Sequence, residues 1–179
     1  MNCYKVLNIK VSDLIADQSN IPRPAEHKMF AAETHNPKLY LNKNIYEKLL
    51  ELGNLSSIVF HMKPFVDKKS IHVDLDENKI PWGSSLNIIL SGQGIMKWFN
   101  PNKLGVISRG NYGNVWFLNW TSDYGEQIDT WTDGKVALVR TDIPHNVWNP
   151  FDQERLIVSV RWSKKYTWEE LVYWFDHNF

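Results

Sequence analysis

Residues 154–162 read Glu154-Arg155-Leu156-Ile157-Val158-Ser159-Val160-Arg161-Trp162. Side chains of an extended chain alternate between two faces. Leu156, Val158, Val160 and Trp162 therefore share one face, and Arg155, Ile157, Ser159 and Arg161 share the other. The stretch Ser70-Ile71-His72-Val73-Asp74-Leu75 repeats the pattern, with Ile71, Val73 and Leu75 against Ser70, His72 and Asp74. Two placements satisfy such strands. In an ordinary antiparallel sheet the apolar face meets the core and the polar face meets water. In the other placement, helices cover the apolar faces and the polar faces line a cavity inside a barrel. Helical patterns at 43–52 and 167–178 are the covers available for the second case, because each has an apolar stripe that needs a sheet to lie on.

The rest of the chain agrees with a mainly β fold. Short runs of β-formers predict strands at 3–11, 56–62, 69–75, 84–91, 94–100, 114–120, 127–132, 135–141, 145–148 and 154–162. Turn residues at Pro81–Gly83, Asn100–Asn102, Asp133–Gly134 and Asn149–Asp152 separate them. Residues 18–38 carry Pro22, Pro24 and Pro37 among polar residues and read as irregular chain. Ile45, Leu49, Leu50 and Leu52 recur at helical spacing before Gly53. Thr167-Trp168-Glu169-Glu170 is a capping-box pattern, followed by Leu171, Trp174 and Phe175 on one face. Strands without helices between them exclude a doubly wound α/β sheet and point to a sandwich or open barrel. The expected organisation is one domain over 1–179. It comprises an N-terminal strand, irregular segment and helix to residue 55, a β core over 56–162, and a C-terminal helix over 163–179.

Composition narrows the function classes. Apolar residues make up 43% and charged residues 22% of the 179, so the chain has the means to build a core and is not a disordered segment. The 20 Lys and Arg are balanced by 20 Asp and Glu. A duplex-binding domain would carry a basic excess, so no nucleic-acid partner is expected. No stretch approaches the roughly 20 apolar residues of a membrane span, and Met1–Val11 lacks the pattern of a signal peptide. Cys3 is the single cysteine, which excludes an internal disulfide and a cysteine-based zinc site. A cytoplasmic location is the expectation that follows. Cys3 itself reads as a structural residue rather than a reactive thiol, since nothing near it in sequence would stabilise a thiolate.

His72 and Asp74 stand two apart, so a strand sets their Cα atoms about 6–7 Å apart on one face. His145, in Thr141-Asp142-Ile143-Pro144-His145-Asn146-Val147, is the third residue suited to join them, and Pro144 restricts the chain that enters its strand. Two imidazoles and one carboxylate on one face of an octahedral ion leave three positions open, the facial triad of non-haem Fe(II) oxygenases. His-x-Asp alone is a short string that equally suits a structural or solvated pair. Arg155 adds weight. It follows His145 by ten residues across the turn 149–152, and a hairpin pairing Val147 with Arg155 would put it on the face of His145. A guanidinium there can grip a carboxylate with two parallel hydrogen bonds; the plain alternative is a surface arginine beside Asp152. Asn87, between Leu86 and Ile88, points to the polar side. Arg161 reads either as a second carboxylate binder or as an ion-pair partner. Trp82, Trp98, Trp116, Trp120 and Trp131 are candidates to wall a pocket, or simply to pack the core and sheets. Of the other histidines, His27 and His35 fall in the irregular segment and read as solvated, His61 as a satisfied core residue or a cavity liner, and His177 as a cation at a helix end.

The segments Ile71-His72-Val73-Asp74, Ser85-Leu86-Asn87-Ile88-Ile89-Leu90, Ile143-Pro144-His145-Asn146-Val147-Trp148-Asn149 and Arg155-Leu156-Ile157-Val158-Ser159-Val160-Arg161 resemble the small 2-oxoglutarate/Fe(II)-dependent oxygenases. The nearest pattern is the phage and marine-virus type, related to aspartyl/asparaginyl β-hydroxylases. The resemblance covers roughly 56–162. It implies a double-stranded β-helix, the cupin-type jelly roll. It implies Fe(II) on His72, Asp74 and His145 as catalytic metal ligands, with 2-oxoglutarate as co-substrate. Arg155 would then bind the distal carboxylate, Ser159 would assist, and Asn87 and Arg161 would also belong to the co-substrate site. The chain departs from the pattern at Ile89, where proline is common, and at Trp148, whose ring would narrow the pocket. The implied function is a dioxygenase that hydroxylates an amino-acid, peptide or small-molecule substrate, in a host cytoplasm if the source is viral. A metal cupin that does not use 2-oxoglutarate would want further His or Glu ligands and no Arg155. A non-catalytic binding jelly roll would present its aromatics as an exposed platform.

Overall fold

A computed structural model describes residues 2–23, 28, 30–67, 71–110, 116–132 and 134–179. The expectations for Pro24, His27, Ser70 and Asp133, and for strand starts at 69–70 and 114–115, lie outside the described residues. In chain order the elements are β1 (Tyr4–Val6), α1 (Val11–Leu14), β2 (Phe30–His35), α2 (Lys43–Leu49), β3 (Leu55–Met62), β4 (Val66–Asp67), β5 (Ile71–Leu75), β6 (Ser84–Ser91), β7 (Ile95–Asn100), β8 (Val106–Arg109), β9 (Trp116–Trp120), β10 (Glu126–Thr132), β11 (Ala137–Arg140), β12 (His145–Asn149), β13 (Arg155–Trp162) and α3 (Trp168–Asn178).

Among the described residues the strands form two antiparallel sheets. One runs β1-β11-β6-β13-β3-β2, the other β10-β7-β12-β5-β9-β8 with β4 added beside β12. Facing sheets joined in this way make a double-stranded β-helix, a jelly roll with its polar interior between the sheets. The alternating strands take the second of the two placements, not the ordinary one. Leu156, Val158, Val160 and Trp162 of β13, with Leu86, Ile88 and Leu138, bury their apolar face under Leu14, Tyr40, Leu49, Leu52, Leu171 and Phe175 from the helical segments. Arg155, Ile157, Ser159 and Arg161 therefore point between the sheets. The outer face of the second sheet is covered without a helix. Ile71, Val73 and Leu75 pack with Trp120, Phe99, Trp116, Leu118 and Tyr124.

The C-terminal cover begins where the capping box requires. Thr167 accepts from the Glu170 backbone N–H, and the Glu170 side chain accepts from the Thr167 N–H. The predicted helix at 43–52 is α2 followed by a 3-10 turn, Leu50–Leu52, which ends at Gly53 with φ 112°.

Four expectations need correction. The strand predicted over 3–11 is only three residues long, because β1 pairs solely with the short edge of β11. The chain then turns into α1, where Leu14 enters the core. The segment 18–38 is not wholly irregular: β2 pairs with β3 along Ala31↔His61 to His35↔Ser57. A partner strand overrides the weak local propensity of Ala31 and Ala32 here. β8, flanked by Gly105 and Gly110, was not visible as a strand and exists by pairing with β9. Finally, Val147 and Arg155 do not pair. β12 belongs to one sheet and β13 to the other, so the turn at 149–152 bridges sheets. Asn149 fixes that crossing: its side-chain amide donates to the carbonyls of Lys63 and Gln153. Among the described residues no helix is long and apolar enough to cross a membrane.

Candidate metal centre

His72 and Asp74 lie on β5 and His145 opens β12. The two strands meet in register at His145↔His72, and directly opposed residues hold their Cβ atoms about 4.5–5.5 Å apart. The rings accordingly sit with centroids 4.5 Å apart and tilted by 54°. Phe117, from β9, closes on His72 edge-on at 5.1 Å. Nε2 of His72 lies 3.5 Å from Oδ1 of Asp74. The candidate ligand atoms of His72, Asp74 and His145 all fall within 4.8 Å of one another. Bonds of roughly 2.1 Å to a common ion at right angles would separate two ligand atoms by about 3 Å, so this spacing suits a shared cation.

Hydrogen bonding sets the donor atoms. Nδ1 of His145 lies 2.8 Å from the Ile143 carbonyl. A carbonyl can only accept, so Nδ1 carries a proton, and in the neutral ring Nε2 keeps its lone pair for an ion. Pro144 contributes its carbonyl, which accepts from the Phe99 N–H at 2.8 Å and ties the entry of β12 to β7. On Asp74 the second oxygen, Oδ2, accepts from Nη2 of Arg161. Two imidazole nitrogens and one carboxylate oxygen, without a thiolate, form a donor set that suits a divalent first-row metal ion.

The remaining predicted residues surround the same cavity. Arg155, Ser159, Asn87 and Arg161 line it together with the three ligand candidates, and none of the seven is more than 8% exposed. Arg155 arrives from the opposite sheet and not along a hairpin, so it faces the triad across the cavity. Its Nη1 lies 3.5 Å from the sulfur of Met62. Asn87 accepts from the Ser85 hydroxyl at 3.3 Å. Two apolar clusters pack between the strands, Ile89, Met96, Trp98 and Trp131 in one and Ala32, Ile58 and Phe117 in the other.

Several expected liners lie elsewhere. Trp98, Trp120 and Trp131 are core residues, Trp98 donating to the Arg140 carbonyl and Trp120 to that of Lys103. Trp116 packs on the outer face of the second sheet. Trp82 lines a separate groove on the far side of Arg161. Trp148 does not narrow the pocket: alternation turns it away from the interior, and Lys97 lies over its ring at 5.1 Å. His61 does not reach the cavity; it is buried and shares Glu154 with Lys63, and these two partners hold the Glu154 carboxyl below its usual range. His35 is half-buried beside Glu33 rather than solvated. The thiol of Cys3 is pushed up to about 11, chiefly by burial and then by the Asp129 carboxylate.

Sequence reasoning missed Gly94. A Cβ there would stand 2.3 Å from Nε of Arg155, so any larger residue would have to push the Arg155 side chain from its present place. The pair Gly92-Gln93-Gly94 between two strands was the available signal. Thr141, Met62 and Val147 also line the cavity, and the alternation of their strands would have placed the last two.

No protein-family model matches this chain, and no curated protein matches it. Among solved structures it is similar to oxalate decarboxylase from Bacillus subtilis, at 14% identity over 82% of this chain and 29% of that chain, with a TM-score of 0.38. It is similar to procruciferin, an 11S globulin from Brassica napus, at 10% identity over 82% of this chain and 29% of that chain, TM-score 0.40. It is also similar to Peruvianin-I, a cysteine peptidase from Thevetia peruviana latex, at 10% identity over 86% of this chain and 74% of that chain, TM-score 0.44. The chain spans under a third of the length of the decarboxylase and the globulin. At such identities and scores the assignment of a double-stranded β-helix rests on the strand order of this chain itself.

Proposed function

We propose that the protein is an Fe(II)- and 2-oxoglutarate-dependent oxygenase that hydroxylates an amino-acid, peptide or small-molecule substrate. The observation that carries the reading is the meeting of His72, Asp74 and His145 within 4.8 Å at the wall of a cavity whose opposite wall holds the buried Arg155. A co-substrate acid accounts for a buried guanidinium on the wall opposite the triad. A plain binding protein has no use for two imidazoles and a carboxylate sharing a few ångströms.

In this reading His72, Oδ1 of Asp74 and Nε2 of His145 would hold the iron, which when bound would supply the means for dioxygen to convert 2-oxoglutarate into succinate and carbon dioxide, one oxygen atom going to succinate and the other into a C–H bond of the substrate. The chain's own residues do the rest. Arg155 neutralises the far carboxylate of 2-oxoglutarate, and its burial makes that contact strong because little water competes. Ser159 adds a hydroxyl donor on the same face of β13. The Ile143 carbonyl fixes the tautomer of His145. Phe117, Met96 and Ile157 exclude water from the interior around the polar groups.

Anaerobic titration of the full chain with Fe(II) and then 2-oxoglutarate tests the proposal. A weak visible charge-transfer band is expected in the wild type. It should be absent in His72→Ala and in His145→Ala, and it should need far more 2-oxoglutarate in Arg155→Ala, which still binds the metal. A band that persists undiminished in both histidine variants would falsify the ligand assignment.

A further inference from the structure

We propose that Arg161 is a positioning residue for the metal site: by holding Oδ2 of Asp74 it leaves Oδ1 alone to face the ion and keeps the carboxylate monodentate. The inference rests on the metal reading of His72, Asp74 and His145.

The two oxygens of Asp74 have different neighbours. Oδ1 lies 3.5 Å from Nε2 of His72, inside the ligand cluster. Oδ2 is 2.5 Å from Nη2 of Arg161. Both side chains are buried, 6% and 3% exposed, so the pair is little screened. A carboxylate that could turn freely would offer both oxygens to a hard or borderline cation, as carboxylates often do. That would consume two positions on the ion, leaving two open rather than three. A keto acid that binds through two oxygens, together with dioxygen, requires three. The contact with Arg161 therefore decides how many positions stay open, not only how firmly Asp74 is held.

Arg161 is itself fixed by a closed set of contacts that returns to Asp74. Its strand position is set by β13 pairing Arg161 with Ser56. Its guanidinium carbon lies 5.7 Å from the centroid of the Trp82 ring. The Trp82 backbone N–H donates to the Asp74 carbonyl at 3.0 Å, and the Asp74 N–H donates to the Thr141 carbonyl at 3.1 Å. Among the described residues Nε and Nη1 of Arg161 have no hydrogen-bond partner. Asp74 is thus its one hydrogen-bond acceptor among the described residues. Arginine suits this task better than lysine, because a planar fork packed on a ring points its N–H bonds in fixed directions.

The test uses the full chain with Co(II) alone as probe, following affinity and the visible d–d absorption that reports the coordination sphere. Wild type, Arg161→Gln, Arg161→Lys, Asp74→Asn and the Asp74→Asn/Arg161→Gln double variant are compared, with near-ultraviolet circular dichroism showing that each is folded. In the Asp74 background Arg161→Gln is expected to shift the visible band, as a second carboxylate oxygen joins the ion, and to change Co(II) affinity by about 10–100-fold, the usual size of effect for altering a partner of a metal ligand. Arg161→Lys should recover part of both. In the Asp74→Asn background the same Arg161→Gln change should alter affinity by no more than about twofold, because no carboxylate remains to be positioned. A purely structural arginine would cost the same in both backgrounds. Equal changes of band and affinity in both backgrounds, or no change beside Asp74, overturn the inference. If Arg161→Gln does not fold, Arg161→Lys carries the comparison, with a change expected only beside Asp74. A wild type that binds no Co(II) would sink the metal reading and the inference together; a wild type that binds while Arg161 proves indifferent sinks the inference alone.

Discussion

A methyl group on Gly94 would stand 2.3 Å from Nε and 2.6 Å from Cδ of Arg155. The obstacle is steric only, because the Gly94 backbone is not in the left-handed region reserved for glycine. The guanidinium also lies against the sulfur of Met62, so moving away from the methyl group would disturb that contact. Gly94→Ala should displace Arg155 from its place opposite the triad. Affinity for 2-oxoglutarate is expected to fall at least tenfold, about 1.4 kcal/mol, while Fe(II) affinity stays within about twofold as for separate sites. Calorimetric titration of each ligand checks this. Equal losses of metal and co-substrate would mean that the substitution disturbs the whole interior.

Phe175 tests whether α3 is a cover for an inverted sheet. It is 1% exposed and packs against Trp162 at 6.2 Å between ring centroids. Phe175→Ala should lower stability by about 3–5 kcal/mol, the range for truncating a buried phenylalanine, as read from urea unfolding. If the apolar face of β13 needed no helix above it, the loss would be under about 1 kcal/mol, as for surface changes.

How β13 lies in the fold shows what was legible in the sequence. The alternation of Leu156, Val158, Val160 and Trp162 against Arg155, Ile157, Ser159 and Arg161 identifies the strand and its two faces, since that depends only on strand geometry. It does not say which face is inside. That depends on Leu171, Phe175 and Leu49 arriving from distant segments, a tertiary fact with no local signature. The same limit explains the pairing error at Val147 and Arg155. Asn149-Pro150-Phe151-Asp152 has the composition of a hairpin turn, yet Asn149 spends its amide on Lys63 and Gln153, and the chain crosses to the other sheet. His72 and Asp74 were legible because they share one strand. Gly94 was not, because its significance lies in a guanidinium 61 positions later in the chain.

Cys3 predicts an alkaline weakness. Its thiol ionises near 9.0 in an ordinary setting and only at about 11 in the folded chain. The native state therefore holds the proton that the unfolded state gives up between these values. Stability should be constant with respect to this group below pH about 9 and should decline as pH rises from there to about 11. The buried Tyr40 hydroxyl, pushed up to about 12 from 10.0, extends the decline upward. Thermal unfolding followed from pH 8 to pH 11 tests the slope, and Cys3→Ala should flatten its lower part. At pH 8 the native thiol should be inert to a disulfide reagent that reacts promptly in denaturant; rapid labelling of the native chain would contradict the burial.

Ser159 and Arg155 should differ in what they contribute to co-substrate binding, and the difference separates a charge clamp from general polarity. Both are 2% exposed and both face the cavity from β13. A neutral hydroxyl bond contributes about 0.5–1.5 kcal/mol net, which is about 2–10-fold in affinity. A buried guanidinium on a carboxylate is charge-assisted, and removing it also strands the carboxylate's charge, which costs about 2–5 kcal/mol. Ser159→Ala should therefore weaken 2-oxoglutarate by less than about tenfold, and Arg155→Ala by more than about 30-fold. A neutral analogue with an amide in place of the distal carboxylate discriminates further. Its binding should be poor in the wild type and little changed by Arg155→Ala. Should the two substitutions prove equivalent toward 2-oxoglutarate, the cavity recognises polarity in general and the clamp assigned to Arg155 fails.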